Sequence, residues 1–321
     1  MQFTQIPPQY APLGSEVRYV VEQETAADID IRIYDENSGA LYGAKRLTAT
    51  VSADVDIAPV VRRNLQFSPT TGASGFHAAP DRTAAVRVEA GPAGSGSAEA
   101  TAPARTFIPG EGPATAPAIR TSMPLERLIP EGACDELTLL TDGDCAVTVS
   151  GWAAGSATAE SFREAGAGLH VFRLDTGDFP GCETLTVDAG ACGTVTYTLI
   201  PAAQEALRIA WRSCAGSIEH YSFPVIRSTT LRVSKQRAEG IDGLLVTAAE
   251  SLRETVLESA YETPETLEAL AGLLLSPEVW ILRNGEYVPV DVRSEEAVIQ
   301  RHGMLCSLEI VVRPKNNPSW N

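Results

Sequence analysis

The stretch LRIAWRSCAGSIEHYSF, residues 207–223, decides how the rest of the chain is read. Leu207, Ile209 and Trp211 alternate with Arg208 and Arg212. A period of two marks a strand with one buried face. A small-residue turn around Gly216 follows, and then Tyr221, Phe223 and Val225 fall on one face. Two paired strands are expected, with Trp211 near Tyr221 or Phe223 as an aromatic cross-strand cluster. Large rings dominate core burial, so these rings are expected inside, packed on each other or on a following helix. Arg208 and Arg212, like Arg62 and Arg63, are expected on solvated faces.

Downstream, TTLRVSKQ and GLLVTAAESLRETVLESAYE continue the strand pattern, the latter as a long strand pair. One helix follows. Thr263 suits an N-cap, Pro264 the first helical position and Glu265 the first turn. Leu267, Leu270, Leu273 and Leu274 form its apolar stripe, and Pro277, just after Ser276, stops it. In VWILRNGEYVPVDV, Asn284-Gly285 is the dipeptide preferred by a two-residue type I′ turn, and Arg283 and Glu286 flank it as an opposite-charge pair. MLCSLEIVVRP ends the unit with Cys306, Leu308, Ile310 and Val312 on one face. Residues 203–321 therefore read as an α+β domain with an antiparallel sheet and one helix.

The upstream part is mainly β. EVRYVVEQ, DIDIRIYD, RLTATVSADVDIAPVV and TAAVRVEAG carry strand alternation with turn signals between them. Residues 1–110 read as an immunoglobulin-like β-sandwich. Residues 91–118, rich in Gly, Pro and Ala, read as a linker or as a proline-limited edge strand. Residues 119–202 read as a second β-sandwich. There DELTLLTDGDCAVTVSGW is expected to be a hairpin turning at Asp142-Gly143, and AAGSATAESFREAGAG a loop or a short helical turn.

The totals agree with about two or three domains in 321 residues. A net charge of −16, with lysine only at 45, 235 and 315, argues against nucleic-acid binding. The longest apolar run, LEALAGLLL, is far short of the ~20 residues of a membrane helix. The N-terminal residues lack the pattern of a leader, so a soluble protein made in a cytoplasm is expected. The six cysteines form no CxxC and are expected to be small buried hydrophobes rather than disulfides or zinc ligands.

No cofactor, metal or catalytic constellation emerges. The four histidines are dispersed, and HExxH, G-x-S-x-G and P-loop patterns are missing. Ser222, the serine closest in sequence to His220, is expected to point away from it. The Asp54/Asp56 and Asp142/Asp144 pairs read as strand-face and turn residues. A hydrolase would need one of the histidines to meet a Ser or Cys and a carboxylate from distant segments.

The tryptophan strand, glycine turn and Tyr-x-Phe pair of residues 207–223 resemble tail-associated structural proteins of tailed bacteriophages and prophages of gut bacteria. The openings IPPQYAPLGSEVRY and DVDIAPVVRR, and the later LLLSPEVWILRNGEYVPVDVRSEE, extend the resemblance in order. Matches fall on Trp211, Gly216, Tyr221, Phe223, Ser276, Pro277, Val279, Tyr287 and Pro289. The resemblance implies a non-enzymatic assembly role, with other virion or tail proteins as partners and a homo-oligomer as an option. It places the protein in the host cytoplasm and then in the virion. The alternative is an exported bacterial adhesin or carbohydrate-binding module, for which an exposed Trp152, Trp211 or Trp280 would be the mark.

Overall fold

Strand-type alternation dominates the sequence, and the computed structural model is a mostly β-strand fold with a minor helical component. It describes residues 1–112, 115–153, 155–241, 243–301 and 304–315, and the backbone of 319–320.

The N-terminal part forms a six-stranded antiparallel sheet. Its centre is Arg18–Asp35, flanked by Leu41–Asp56 and Ala84–Pro92. Tyr19, Val21, Ile29, Ile31 and Ile33 are buried at every second position, as the alternation requires. Ala100–Thr101 and Arg105–Phe107 pair with Ala84–Pro92, which favours the edge-strand reading of this proline-rich region. After Leu41–Asp56 the chain turns helical at Ala58–Arg62, where a strand was expected. Pro59 cannot donate to a ladder but fits a first helical turn, and Val61 still reaches the core.

The middle part has two sheets. Ala118–Arg120, Cys134–Thr141, Gly168–Asp175 and Gly75–His77 form one; Glu126–Pro130, Thr194–Ile200, Cys182–Asp188, Cys145–Ala153 and Ser156–Glu164 form the other. Leu137, Leu139 and Phe172 of the first share a core with Val147, Val149, Leu185 and Val187 of the second. This corrects the hairpin expected at Asp142-Gly143. Cys134–Thr141 and Cys145–Ala153 belong to different sheets. Both strands have apolar residues for the same core, so the turn carries the chain across it. The expected loop or helical turn at 153–168 is also corrected. Ser156–Glu164 is a nine-residue strand paired with Cys145–Ala153. Its exposed sequence, with Phe162 as the one large apolar residue, carries no apolar period, and the ladder to its neighbour supplies the order.

The last part is an eight-stranded sheet with the helix Pro264–Leu275 against it. Thr263 caps the helix, its hydroxyl accepting from the Thr266 N–H at 3.3 Å. Leu267, Leu270 and Leu273 enter a core with Trp211, Phe223, Ile281 and Ile310. Asn284 and Gly285 take φ of 52° and 82° between Val279–Arg283 and Glu286–Val292, with Arg283 opposite Glu286. Cys306, Leu308, Ile310 and Val312 are buried together. The long strand pair expected within GLLVTAAESLRETVLESAYE is corrected: Gly243–Glu258 is one strand, with no Gly, Pro, Asn or Asp after Gly243 to turn it, and its partner is Val225–Gly240, which contains TTLRVSKQ. No helix among the described residues is long and apolar enough to cross a membrane. All six cysteines carry free thiols; four are buried, Cys192 is half-buried and Cys214 is exposed.

Candidate functional site

The hairpin of Leu207–Arg212 and Ile218–Phe223 pairs Ile209 with Tyr221 and Trp211 with Glu219. Alternation gives it two buried faces. Ile209, Trp211, Tyr221 and Phe223 face the helix core, whereas Ala210 and Ile218 join the N-terminal core together with Trp280. Trp211 is fully buried, and Tyr221 and Phe223 meet edge to face at 5.1 Å. The Tyr221 hydroxyl donates to Glu262 at 2.7 Å and accepts from the Ala260 N–H at 3.1 Å, tying the hairpin to the approach to the helix.

The turn is held as firmly. Gly216 has φ of 83°, and a Cβ there would lie 2.5 Å from the backbone of Pro109. Only glycine allows both the conformation and the approach. The buried Arg120 guanidinium bridges them, donating to the carbonyls of Ala215 and Pro109 at 2.8 and 3.0 Å. Ser276 ends the helix and its hydroxyl donates to the Glu278 carbonyl; Pro277 follows it. Asn284 and Gly285 lie exposed at their turn, apart from this junction, while Tyr287 reaches into it.

Arg208 is not on a solvated face. It is buried, donating to the Ser222 hydroxyl at 2.9 Å and to the Cys134 carbonyl. Arg212 is half-buried, with its guanidinium 3.9 Å from the centre of the Phe67 ring. Both therefore face other parts of the protein rather than water. Ser222 is also re-placed: residues two apart share a strand face, so His220 and Ser222 lie on the same side as Arg208.

That side carries a buried polar cluster between the middle strands and the hairpin. Asp135 accepts from Arg127 Nη1 at 2.8 Å and from the Tyr197 hydroxyl at 2.9 Å. His220 Nδ1 lies 3.5 Å from Asp135, and its Nε2 is 2.9 Å from the Tyr287 hydroxyl. The same hydroxyl is 3.3 Å from Cys134 Sγ. Glu219 is on the opposite, Trp211 face of its strand, yet lies 3.5 Å from Arg127 and accepts from the Thr121 hydroxyl and the Ser122 N–H at 2.8 and 3.0 Å. Burial pushes the Asp135 carboxyl up, but Arg127, His220 and Arg208 outweigh it and hold it well below the usual range. Burial, reinforced by Asp135, pushes the Tyr197 phenol well above its ordinary value. Burial and Cys134 likewise raise Tyr287.

A cavity of about 340 Å³ opens beside this cluster, lined in part by Arg127, Asp135, Tyr197, His220 and Tyr221. Among its lining groups Arg127 and Asp135 are paired with each other, and Glu262 accepts from the Tyr221 hydroxyl. His220 bonds a phenol, and the Ser222 hydroxyl is taken by Arg208. The geometry fits a junction that fixes two parts of the chain. Arg127, Asp135 and Glu219 escaped sequence reasoning because their partners come from distant segments. One signal was present: Asp135 and Glu136 stand in a strand whose other residues are apolar or threonine, and it is buried along its whole length. Charges in such a strand need partners, and Glu136 finds Arg82, also buried.

The second unusual feature is the arm formed by Val225–Gly240 and Gly243–Glu258. Its inner end continues the sheet through pairing of Thr255–Glu258 with the strand Glu309–Pro314, and further out Ala249 and Glu250 pair with Trp320 and Ser319. Beyond that, Val225–Gly240 pairs on one side only among the described residues. Leu231, Val233, Ile241, Leu244, Leu245 and Val246 are exposed along it. Val225–Gly240 holds Arg227, Arg232, Lys235 and Arg237 against a single carboxylate, Glu239.

No protein-family model matches the chain, and no curated protein matches it.

Proposed function

We propose that this chain is a non-enzymatic structural component of a phage or prophage tail, acting through protein–protein contacts. In this reading residues 1–110 and 119–202 are two immunoglobulin-like sandwich units, followed by the α+β unit 203–321. The observation that carries it is the arm. Its two 16-residue strands run well past the body of the sheet, with six large apolar side chains exposed. Outside the pairing of Ala249–Glu250 with Ser319–Trp320, the outer part of the arm is a two-stranded ribbon, which is marginal in water, and exposed apolar patches mark contact surfaces. An arm of this kind suits a protein completed by its neighbours in a particle. The interlocked polar junction supports the same role, since it rigidifies the body from which the arm projects.

A second reading, an exported adhesin or carbohydrate-binding module, draws on Trp152, which is 61% exposed, while Trp211 and Trp280 are buried. Particles purified from an induced lysogen carrying a tagged copy separate the two. The tag should label the tail by immunogold electron microscopy. Particles without the tag would overturn the tail assignment, and retention of the protein on a glycan array, lost in Trp152→Ala, would favour the adhesin.

A further inference from the structure

We propose that the arm docks on the body of a second copy of this chain, by adding its outer strand to the free edge of Ser156–Glu164, in a head-to-tail contact. This deepens the assembly reading above and rests on it. The outer strand Val225–Gly240 offers an unpaired row of backbone groups, which is a template for strand addition. Charge selects the partner. The strand is basic in a chain of net charge −16, so the body of another copy attracts it. Arg227 is already held by Glu258, and Arg232 lies 3.4 Å from Glu254. Lys235 and Arg237 are exposed further along.

Charge also argues against the symmetric option. Two outer strands side by side would bring Arg232, Lys235 and Arg237 against their own copies, and like charges across a ladder are destabilising. A basic arm on an acidic edge avoids this. Among the terminal strands, Leu41–Asp56 exposes Lys45 and Arg46, Ile218–Phe223 is mostly buried, Gly75–His77 and Ala118–Arg120 have three residues each, Gln2–Gln5 has four without a charge, and Glu126–Pro130 has five and ends in a proline. Ser156–Glu164 has nine, is exposed, pairs on one side only among the described residues and carries Glu160 and Glu164 against a single Arg163. The apolar side chains near the arm's tip, Leu244, Leu245 and Val246, would then be covered by the neighbour. A contact between unlike surfaces does not stop at two copies; it closes a ring or continues as a filament.

The test is sedimentation and light scattering of the purified full chain over a range of concentrations at low salt. The expected result is growth past the dimer, reduced by added salt. The double variants Lys235→Glu with Arg237→Glu, and Glu160→Lys with Glu164→Lys, should each weaken association by roughly tenfold or more. Combining all four should restore it. Circular dichroism should show every variant folded, since all four positions are exposed. A chain that stays monomeric throughout, a closed dimer insensitive to these charges, or a quadruple variant that does not recover would each overturn the proposal. These results are separable from the tail assignment, because incorporation of the tag into particles is scored independently.

Discussion

Two hairpins follow one another in the chain and belong to the same sheet, yet they meet opposite surroundings. The first, Leu207–Arg212 with Ile218–Phe223, has both faces buried, one on the helix and the other on the N-terminal core and the polar junction. The second, Val225–Gly240 with Gly243–Glu258, is exposed over most of its length. Both alternate, so period two alone does not tell them apart. The difference lies in what occupies the alternate positions. In the first they hold Ile209, Trp211, Tyr221 and Phe223, large enough to fill a core. In the second they hold many threonines, serines and charged residues, with exposed aliphatic side chains at Leu231 and Val233 and, nearer the tip, at Leu244, Leu245 and Val246. One hairpin organises the molecule, and the other is free to serve outside it.

Substitutions should sharpen this contrast. Trp211→Ala empties the centre of the helix core and is expected to cost about 3–5 kcal/mol, read as a drop in the urea midpoint. Asp135→Asn comes next. It removes the nearer of the two buried carboxylates beside Arg127, leaving Glu219 at 3.5 Å, and a loss of roughly 3 kcal/mol is expected.

Asp135 also gives a pH signature. Its carboxyl is held below its unfolded value, so between the two values the unfolded chain binds more protons. Its stabilisation is present above about pH 4 and is lost as pH falls towards the folded value. Urea midpoints taken downward from pH 6 should fall less steeply in Asp135→Asn than in the parent chain. Equal slopes would show that Asp135 is not held as an ion in the folded state.

Smaller effects follow. Thr263→Ala removes the helix cap and should cost about 1 kcal/mol, seen in thermal unfolding. Leu244→Ser on the arm should change stability by no more than about 0.5 kcal/mol, because that side chain is already exposed. A loss comparable to that of Trp211→Ala would place the arm in the fold's own core and break the contrast.

Local chemistry was the readable part of the sequence. Asn284-Gly285 and the Thr263, Pro264, Pro277 pattern specify a turn and a helix through conformational preferences carried by a few adjacent residues. Burial of Trp211, Tyr221 and Phe223 was legible from alternation. Sheet membership was not, since Asp142-Gly143 suits a hairpin as well as a crossing between sheets. Which one forms depends on the shared core of Leu137 and Val147, contacts that no local pattern encodes. The polar junction was hidden for the same reason: Arg127, Asp135, Glu219 and Tyr287 come from separate segments, and Arg208 looks like any outward-facing strand arginine. Ser156–Glu164 lacks an apolar period, so only its pairing with Cys145–Ala153 makes it a strand.

The most direct measurement is amide hydrogen exchange on the chain, first dilute and then concentrated enough to associate. The prediction is strong protection of residues 209–211 and 218–223 in both states, with residues 229–237 exchanging fast when dilute and becoming protected on association. Arm amides as well protected in the dilute chain as those beside Trp211, or left unprotected in the assembled one, would contradict it.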